Sequence, residues 1–208
     1  PPRSTLFPYT TLFRSGYGLV IYSNRTDFTM RPVKNIVVSG NTIAYNYGGV
    51  KGSGRQDQVL IAKVKSGLFI NNVVGPGIGS EALQNGIRII YENEDLTIRE
   101  NFIYAKTGIA VSSFKHVGDT ANIFNLKIEN NIIGPFSDGT LTYGIRLGAI
   151  KGENLIITGT RGKGMRAGIL VDPGYSLTNT VVENNHWKDN THDILNMSHT
   201  LINVRSDN

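Results

Sequence analysis

The chain is organised by one short phrase that it writes again and again. Asn125-Leu-Lys-Ile-Glu-Asn-Asn131 recurs as Asn35-Ile-Val-Val-Ser-Gly-Asn41, Asp95-Leu-Thr-Ile-Arg-Glu-Asn101, Asn154-Leu-Ile-Ile-Thr-Gly-Thr160 and Asn179-Thr-Val-Val-Glu-Asn-Asn185, with a shorter copy at Gly67-Leu-Phe-Ile-Asn-Asn72. The closing polar residue falls at 41, 72, 101, 131, 160 and 185, in steps of 31, 29, 30, 29 and 25. A fixed period of this length marks a repeat architecture, in which each unit completes its core only by stacking on its neighbours.

Within a copy the apolar residues alternate. Leu126/Ile128, Ile36/Val38, Leu96/Ile98, Leu155/Ile157, Thr180/Val182 and, in the shorter copy, Leu68/Ile70 are expected to face one side of a strand. Asparagine then ends the strand, because its short amide tolerates left-handed backbone and bonds locally. Stacked at the strand spacing of ~4.8 Å, these amides can bond up and down as a ladder, with Thr160 interrupting it. A second strand runs in step, read at Gly18-Leu-Val-Ile21, Gly49-Val-Lys-Gly52, Gly86-Ile-Arg-Ile89, Gly108-Ile-Ala-Val111, Gly144-Ile-Arg-Leu147 and Gly168-Ile-Leu-Val171. Two short strands per period, with no helical stripe, describe a coil of parallel strands.

These repeats resemble the right-handed parallel β-helix superfamily, the pectate-lyase-like group of polysaccharide lyases, hydrolases, epimerases and phage tailspikes. The resemblance covers residues 16–208 and implies an all-β, single-stranded right-handed parallel β-helix of about six rungs. It further implies a polysaccharide partner, an extracellular or virion-associated location, and either cleavage by a lyase or hydrolase mechanism or a non-catalytic structural or adhesive role. The group's catalytic signatures are not matched: Asn41-Thr-Ile43, Arg88-Ile-Ile90 and Asp172-Pro-Gly-Tyr175 each stop short of one.

Residues 1–15, PPRSTLFPYTTLFRS, match the translation of a common sequencing-library adapter residue for residue. They are expected to be a non-native leader outside the solenoid, which would leave the domain at residues 16–208 truncated at its N-terminus. Without Arg3 and Arg14 the 21 basic residues become 19 against 16 acids, a net charge of +3 in place of +5. That balance, with no Lys/Arg-rich run, argues against nucleic acid. No apolar run reaches the ~18–20 residues of a membrane span. Cysteine is absent, which excludes disulfides and thiolate metal sites. No evident amphipathic helix caps the C-terminal end, so either the natural protein is expected to continue or the open end to meet a packing partner, a homotrimer being one such arrangement.

The outward position two residues after each strand glycine reads Val20, Lys51, Arg88, Ala110, Arg146 and Leu170. In register, Arg88 and Arg146 would stand ~10 Å apart with Lys51 one rung before Arg88, a row suited to the carboxylates of an acidic sugar polymer. Tyr91, with Tyr22 and Tyr143, would add stacking surface. Glu92, Glu94 and Asp95 follow the Arg88 strand. Such a cluster suits acid catalysis through a raised carboxyl pKa, or calcium held by oxygen ligands, with Asp119 and Asp138 on neighbouring loops. The four histidines are too scattered to specify a metal site, and Trp187 is expected in the core.

Overall fold

The computed structural model describes residues 4–6, 18–21, 32–44, 57–75, 85–112, 121–134, 142–198 and 203–205. These residues form three all-parallel sheets of eight, seven and six strands. Each repeat contributes one strand to each sheet in a fixed order, so the chain winds as a β-solenoid. In the fourth repeat, for example, Thr107–Val111 enters the seven-stranded sheet, Ala121–Glu129 the eight-stranded sheet and Ile132–Gly134 the six-stranded sheet. We call these the glycine sheet, the long sheet and the short sheet. The all-β, parallel-solenoid expectation holds; the expectation of two strands per period does not. The third strand is only two or three residues long, too short for alternation to reveal it.

The long sheet keeps the expected register over most of its length: Leu96, Leu126, Leu155 and Thr180 stack in one column and Ile98, Ile128, Ile157 and Val182 in the next. The shorter copy departs from it. Gly67 and Phe69, not Leu68 and Ile70, continue the inward columns, because Gly67 pairs with both Ile36 and Leu96. Phe69 is 1% exposed and stands in the column of Val38 and Ile98. A Cβ at Gly67 would lie 2.7 Å from Val64 Cγ1 and 2.9 Å from Leu96 Cδ1, so that rung accepts one large side chain and a glycine in place of two mid-sized ones. The core between the sheets is built mainly of isoleucine, including Ile87, Ile98, Ile103, Ile109, Ile128 and Ile145, each fully buried and worth roughly 1.5–3 kcal/mol in burial.

The asparagine ladder is present and buried. Asn72 Oδ1 accepts the Asn41 backbone N–H at 3.0 Å and its Nδ2 at 3.1 Å. Asn101 does the same for Asn72, both at 3.0 Å, and Asn131 for Asn101 at 3.1 and 3.0 Å. Thr160 breaks the side-chain chain, and Asn185 Oδ1 resumes it by accepting the Thr160 N–H at 3.0 Å. The left-handed backbone, however, sits one residue earlier than expected. Asn71, Glu100, Asn130 and Asn184 have φ of 52–56°, with Gly40 and Gly159 at the matching positions. The turn is made by the residue before the ladder, which frees the ladder asparagine to point its amide along the stack.

A second set of left-handed residues kinks the long strands midway: Asn35, Ser66, Asp95, Asn125, Asn154 and Asn179. Their side chains form an exposed ladder. Asn125 Nδ2 donates to Asp95 Oδ1 at 2.8 Å, Asn154 to Asn125 at 2.8 Å, and Asn179 to Asn154 at 3.2 Å.

Of residues 1–15, expected to be a leader, only Ser4–Leu6 are described. Ser4–Leu6 form the outermost strand of the long sheet, pairing in parallel with Ile36, Val37 and Val38. The physical reason is the open edge of Val33–Ser39, whose unpaired N–H and C=O groups template any extended segment of β-forming residues. The rest of residues 1–15 lie outside the described residues.

Candidate functional site

The expected cationic row lies on the outward face of the glycine sheet, and most of its register holds. Arg88, Ala110, Arg146 and Leu170 are paired in succession. The place before Arg88 in the row, expected for Lys51, is held by Leu60. Leu60 pairs with Val20 on one side and Arg88 on the other, and Gln58 stands in the column where Gly49 was expected. The described strand of this repeat is Asp57–Ala62, and the Gly49 phrase lies outside the described residues. Lys51 itself, with Tyr22, Asp119 and Asp138, lies outside the described residues.

The row is also covered and neutralised over much of its length. Leu60, Ala110 and Leu170 are buried, and the Arg88 side chain is only 17% exposed beside Asp57 Oδ2, 3.6 Å away. Asp57 accepts from Asn85 Nδ2 at 2.6 Å and is itself buried. Burial pushes its carboxyl pKa up, against the opposing pull of Arg88 and the Asn85 hydrogen bond. Arg146 is better exposed, at 48% of its side chain, and its Nε donates to Asp172 at 2.6 Å. Tyr91 adopts φ 57° and packs against a small apolar cluster of Leu60, Ala62 and Ile90.

Two of the acidic residues after Arg88 have side-chain partners of their own. Glu94 forms an ion pair with Lys65 at 2.7 Å, and Asp95 is a rung of the exposed ladder, accepting from Asn125. Asn93, between Glu92 and Glu94, turns inward: its Oδ1 accepts the Val64 N–H and its Nδ2 donates to the Ile90 carbonyl. Glu92 is exposed. Among the described residues no three His, Asp or Glu side chains converge as a metal site would require. Trp187, expected in the core, is half-buried and packs against it, and a Cβ at Gly168 would come within 2.3 Å of its Cγ.

The face that sequence reasoning missed is the outer side of the short sheet. Val73, Phe102, Ile132, Arg161 and His186 are paired in one continuous column. Val73, Phe102 and Ile132 are each about 40% exposed. Two residues along the strands a second column runs Tyr104, Gly134, then Lys163 paired with Lys188. Phe102 and Tyr104 lie on the same face with ring centroids 5.5 Å apart, tilted by 39°. The Tyr104 ring lies over Gly134, where a Cβ would stand only 2.8 Å from its Cδ1 and Cε1. Beside this face a surface depression of about 340 Å³ is lined by Glu100, Asn130, Ile132, Gly159 and Arg161.

The face thus has an aromatic half and a basic half in register along the solenoid axis, at ~4.8 Å per rung. The signal for it was available. The first and third residues after the ladder position are Phe102 and Tyr104 in one repeat, Arg161 and Lys163 in another, and His186 and Lys188 in the next. Each pair is ordinary by itself and acquires meaning only once the third strand is known to exist.

Comparison with known proteins gives no match: no family model, no curated protein and no solved structure aligns with the chain.

Proposed function

We propose that the chain recognises a polysaccharide lengthwise, using the rigid outer face of its short sheet, and holds it without cleaving it. The observation that carries this reading is the Phe102–Tyr104 pair, two exposed rings on one strand, with the Tyr104 ring against Gly134. Aromatic rings held rigidly at a surface present large apolar area at little entropic cost, the kind of surface on which the apolar face of a sugar ring stacks. Val73 and Ile132 continue the exposed apolar column one rung to either side of Phe102, which gives the surface length along the solenoid axis for a polymer to follow.

Binding is favoured over cleavage because two of the three acidic residues that could have served catalysis are engaged elsewhere. Glu94 is held by Lys65 and Asp95 by Asn125. The Arg88–Arg146 row is secondary in this reading, since each arginine already has a carboxylate beside it.

Affinity electrophoresis through gels carrying neutral and acidic polysaccharides tests the proposal. Phe102→Ala and Tyr104→Ala should each weaken retention about five- to tenfold, the size expected for losing one stacking contact of ~1 kcal/mol or more. Arg88→Ala should leave retention unchanged. Retention that depends on Arg88 and Arg146, and not on Phe102, would move the site to the glycine sheet.

A further inference from the structure

The basic half of the short-sheet face has a feature that stability alone does not account for. Arg161 and Lys163 lie on one strand, His186 and Lys188 on the next, and the pairing sets Arg161 directly opposite His186 and Lys163 directly opposite Lys188. All four are exposed. Neighbours on one face of a strand are about 6.7 Å apart and neighbours across the pair ~4.8 Å, so the four basic groups occupy the corners of a small rectangle. Like charges directly opposite across a strand pair oppose folding. Some cations of this fold do have a carboxylate beside them, as at Lys65–Glu94 and Arg146–Asp172. Among the described residues no carboxylate is ion-paired with Arg161, Lys163 or Lys188.

We propose that this array is a binding site for the sulfate esters of a sulfated polysaccharide whose neighbouring sugar rings lie on Phe102 and Tyr104. The assignment rests on the polysaccharide reading above and names its polymer class. Several donors converging on one small area match a compact oxyanion with several acceptor oxygens better than isolated carboxylates spaced along a chain, and charge-assisted bonds from Arg and Lys are the strong ones. Ile132 and Gly134 form the rung between the two halves, so stacking and anion contacts lie one or two rungs apart, within reach of one polymer chain. Single-stranded nucleic acid uses the same two kinds of contact but needs a basic groove that tracks successive phosphates. Here the cations are confined to two rungs.

The test compares dextran sulfate, unmodified dextran of the same length and a thymidine homopolymer, using the full chain and two variants. Dextran sulfate should bind, with a dependence on salt concentration from released counterions. The Lys163→Ser/Lys188→Ser variant should lose at least tenfold in affinity and flatten that dependence. Lys163→Glu is the sharper probe. It converts the opposed lysines into an opposite-charge pair, so it should raise the unfolding midpoint while abolishing dextran sulfate binding. Equal binding of dextran and dextran sulfate would overturn the sulfate site and leave polysaccharide recognition standing. Binding of neither polymer would overturn both. Tighter binding of the thymidine polymer, or dextran sulfate binding that survives Lys163→Glu, would also refute the assignment.

Discussion

Asn101→Ala is the substitution that tests most directly what holds the rungs together. The Asn101 amide oxygen accepts two hydrogen bonds from Asn72, and its nitrogen donates to the Phe69 carbonyl at 3.1 Å and to Asn131 Oδ1 at 3.0 Å. Alanine removes all four. Some partners are still served: Asn72 Nδ2 keeps the Val38 and Ile70 carbonyls, and Asn131 Oδ1 keeps the Asn101 backbone N–H. The Asn72 backbone N–H loses its ladder acceptor in a buried site. An orphaned buried donor costs about 1–3 kcal/mol and each of the three further lost bonds about 1 kcal/mol, so the total should be about 4–6 kcal/mol. Asn154→Gly is the control. It removes two ladder bonds of similar length at an exposed position and relieves a φ of 61°, so it should change stability by no more than about 0.5 kcal/mol. Urea unfolding followed by far-ultraviolet circular dichroism gives both midpoints. Amide exchange at Asn72 reports the local effect even if the repeats unfold in stages. Equal losses for the two variants would show that burial of the ladder is not what gives it value.

Other consequences follow from single residues. Thr160→Asn should close the gap in the ladder and stabilise by about 1 kcal/mol, read as a higher urea midpoint. Glu100→Gly removes a non-glycine residue from φ 56° and should also stabilise by up to about 1 kcal/mol, whereas Glu100→Val should destabilise. Gly168→Ala would place a Cβ 2.3 Å from Trp187 Cγ and should cost about 1–3 kcal/mol through overpacking, with a change in tryptophan fluorescence. Asp57 supplies a pH dependence. Its folded pKa is raised by burial, so the folded state favours the protonated carboxyl. Stability relative to Asp57→Asn should therefore rise as pH falls through the raised pKa towards the ordinary carboxylate value, and level off below it. Paired urea titrations at pH 7 and pH 4 check the sign, and the opposite slope would refute it.

The solenoid was legible because period, alternation and asparagine placement all point one way. The ladder positions 41, 72, 101, 131, 160 and 185, and the break at Thr160, follow from counting alone. What was not legible has local causes. The Gly67 copy is one residue short, so alternation counted from its apolar residues chose Leu68 and Ile70, whereas the sheet continues through Gly67 and Phe69. Gly49-Val-Lys fits the glycine pattern, and only pairing with Leu19–Ile21 and Asn85–Ile90 places Asp57–Ala62 between them. The pattern alone brought Lys51 into the expected row. The Arg88 and Arg146 positions were correctly spaced, yet spacing says nothing of the Asp57 and Asp172 carboxylates beside them. Asp95 looked like an acid of a catalytic cluster because sequence adjacency conceals that its rung neighbour is Asn125, thirty residues away.

The central claim is recognition without cleavage, and one experiment addresses both halves. The chain is incubated with a panel of neutral, uronate-containing and sulfated polysaccharides, and retention of the polymer is measured alongside release of reducing ends and unsaturated uronide. The account predicts that at least one polymer is retained through Phe102 and Tyr104, with neither product rising above the polymer alone. Growth of reducing ends, or of the absorbance of a new double bond, would contradict it and return Glu92, Glu94 and Asp95 to consideration as catalytic residues.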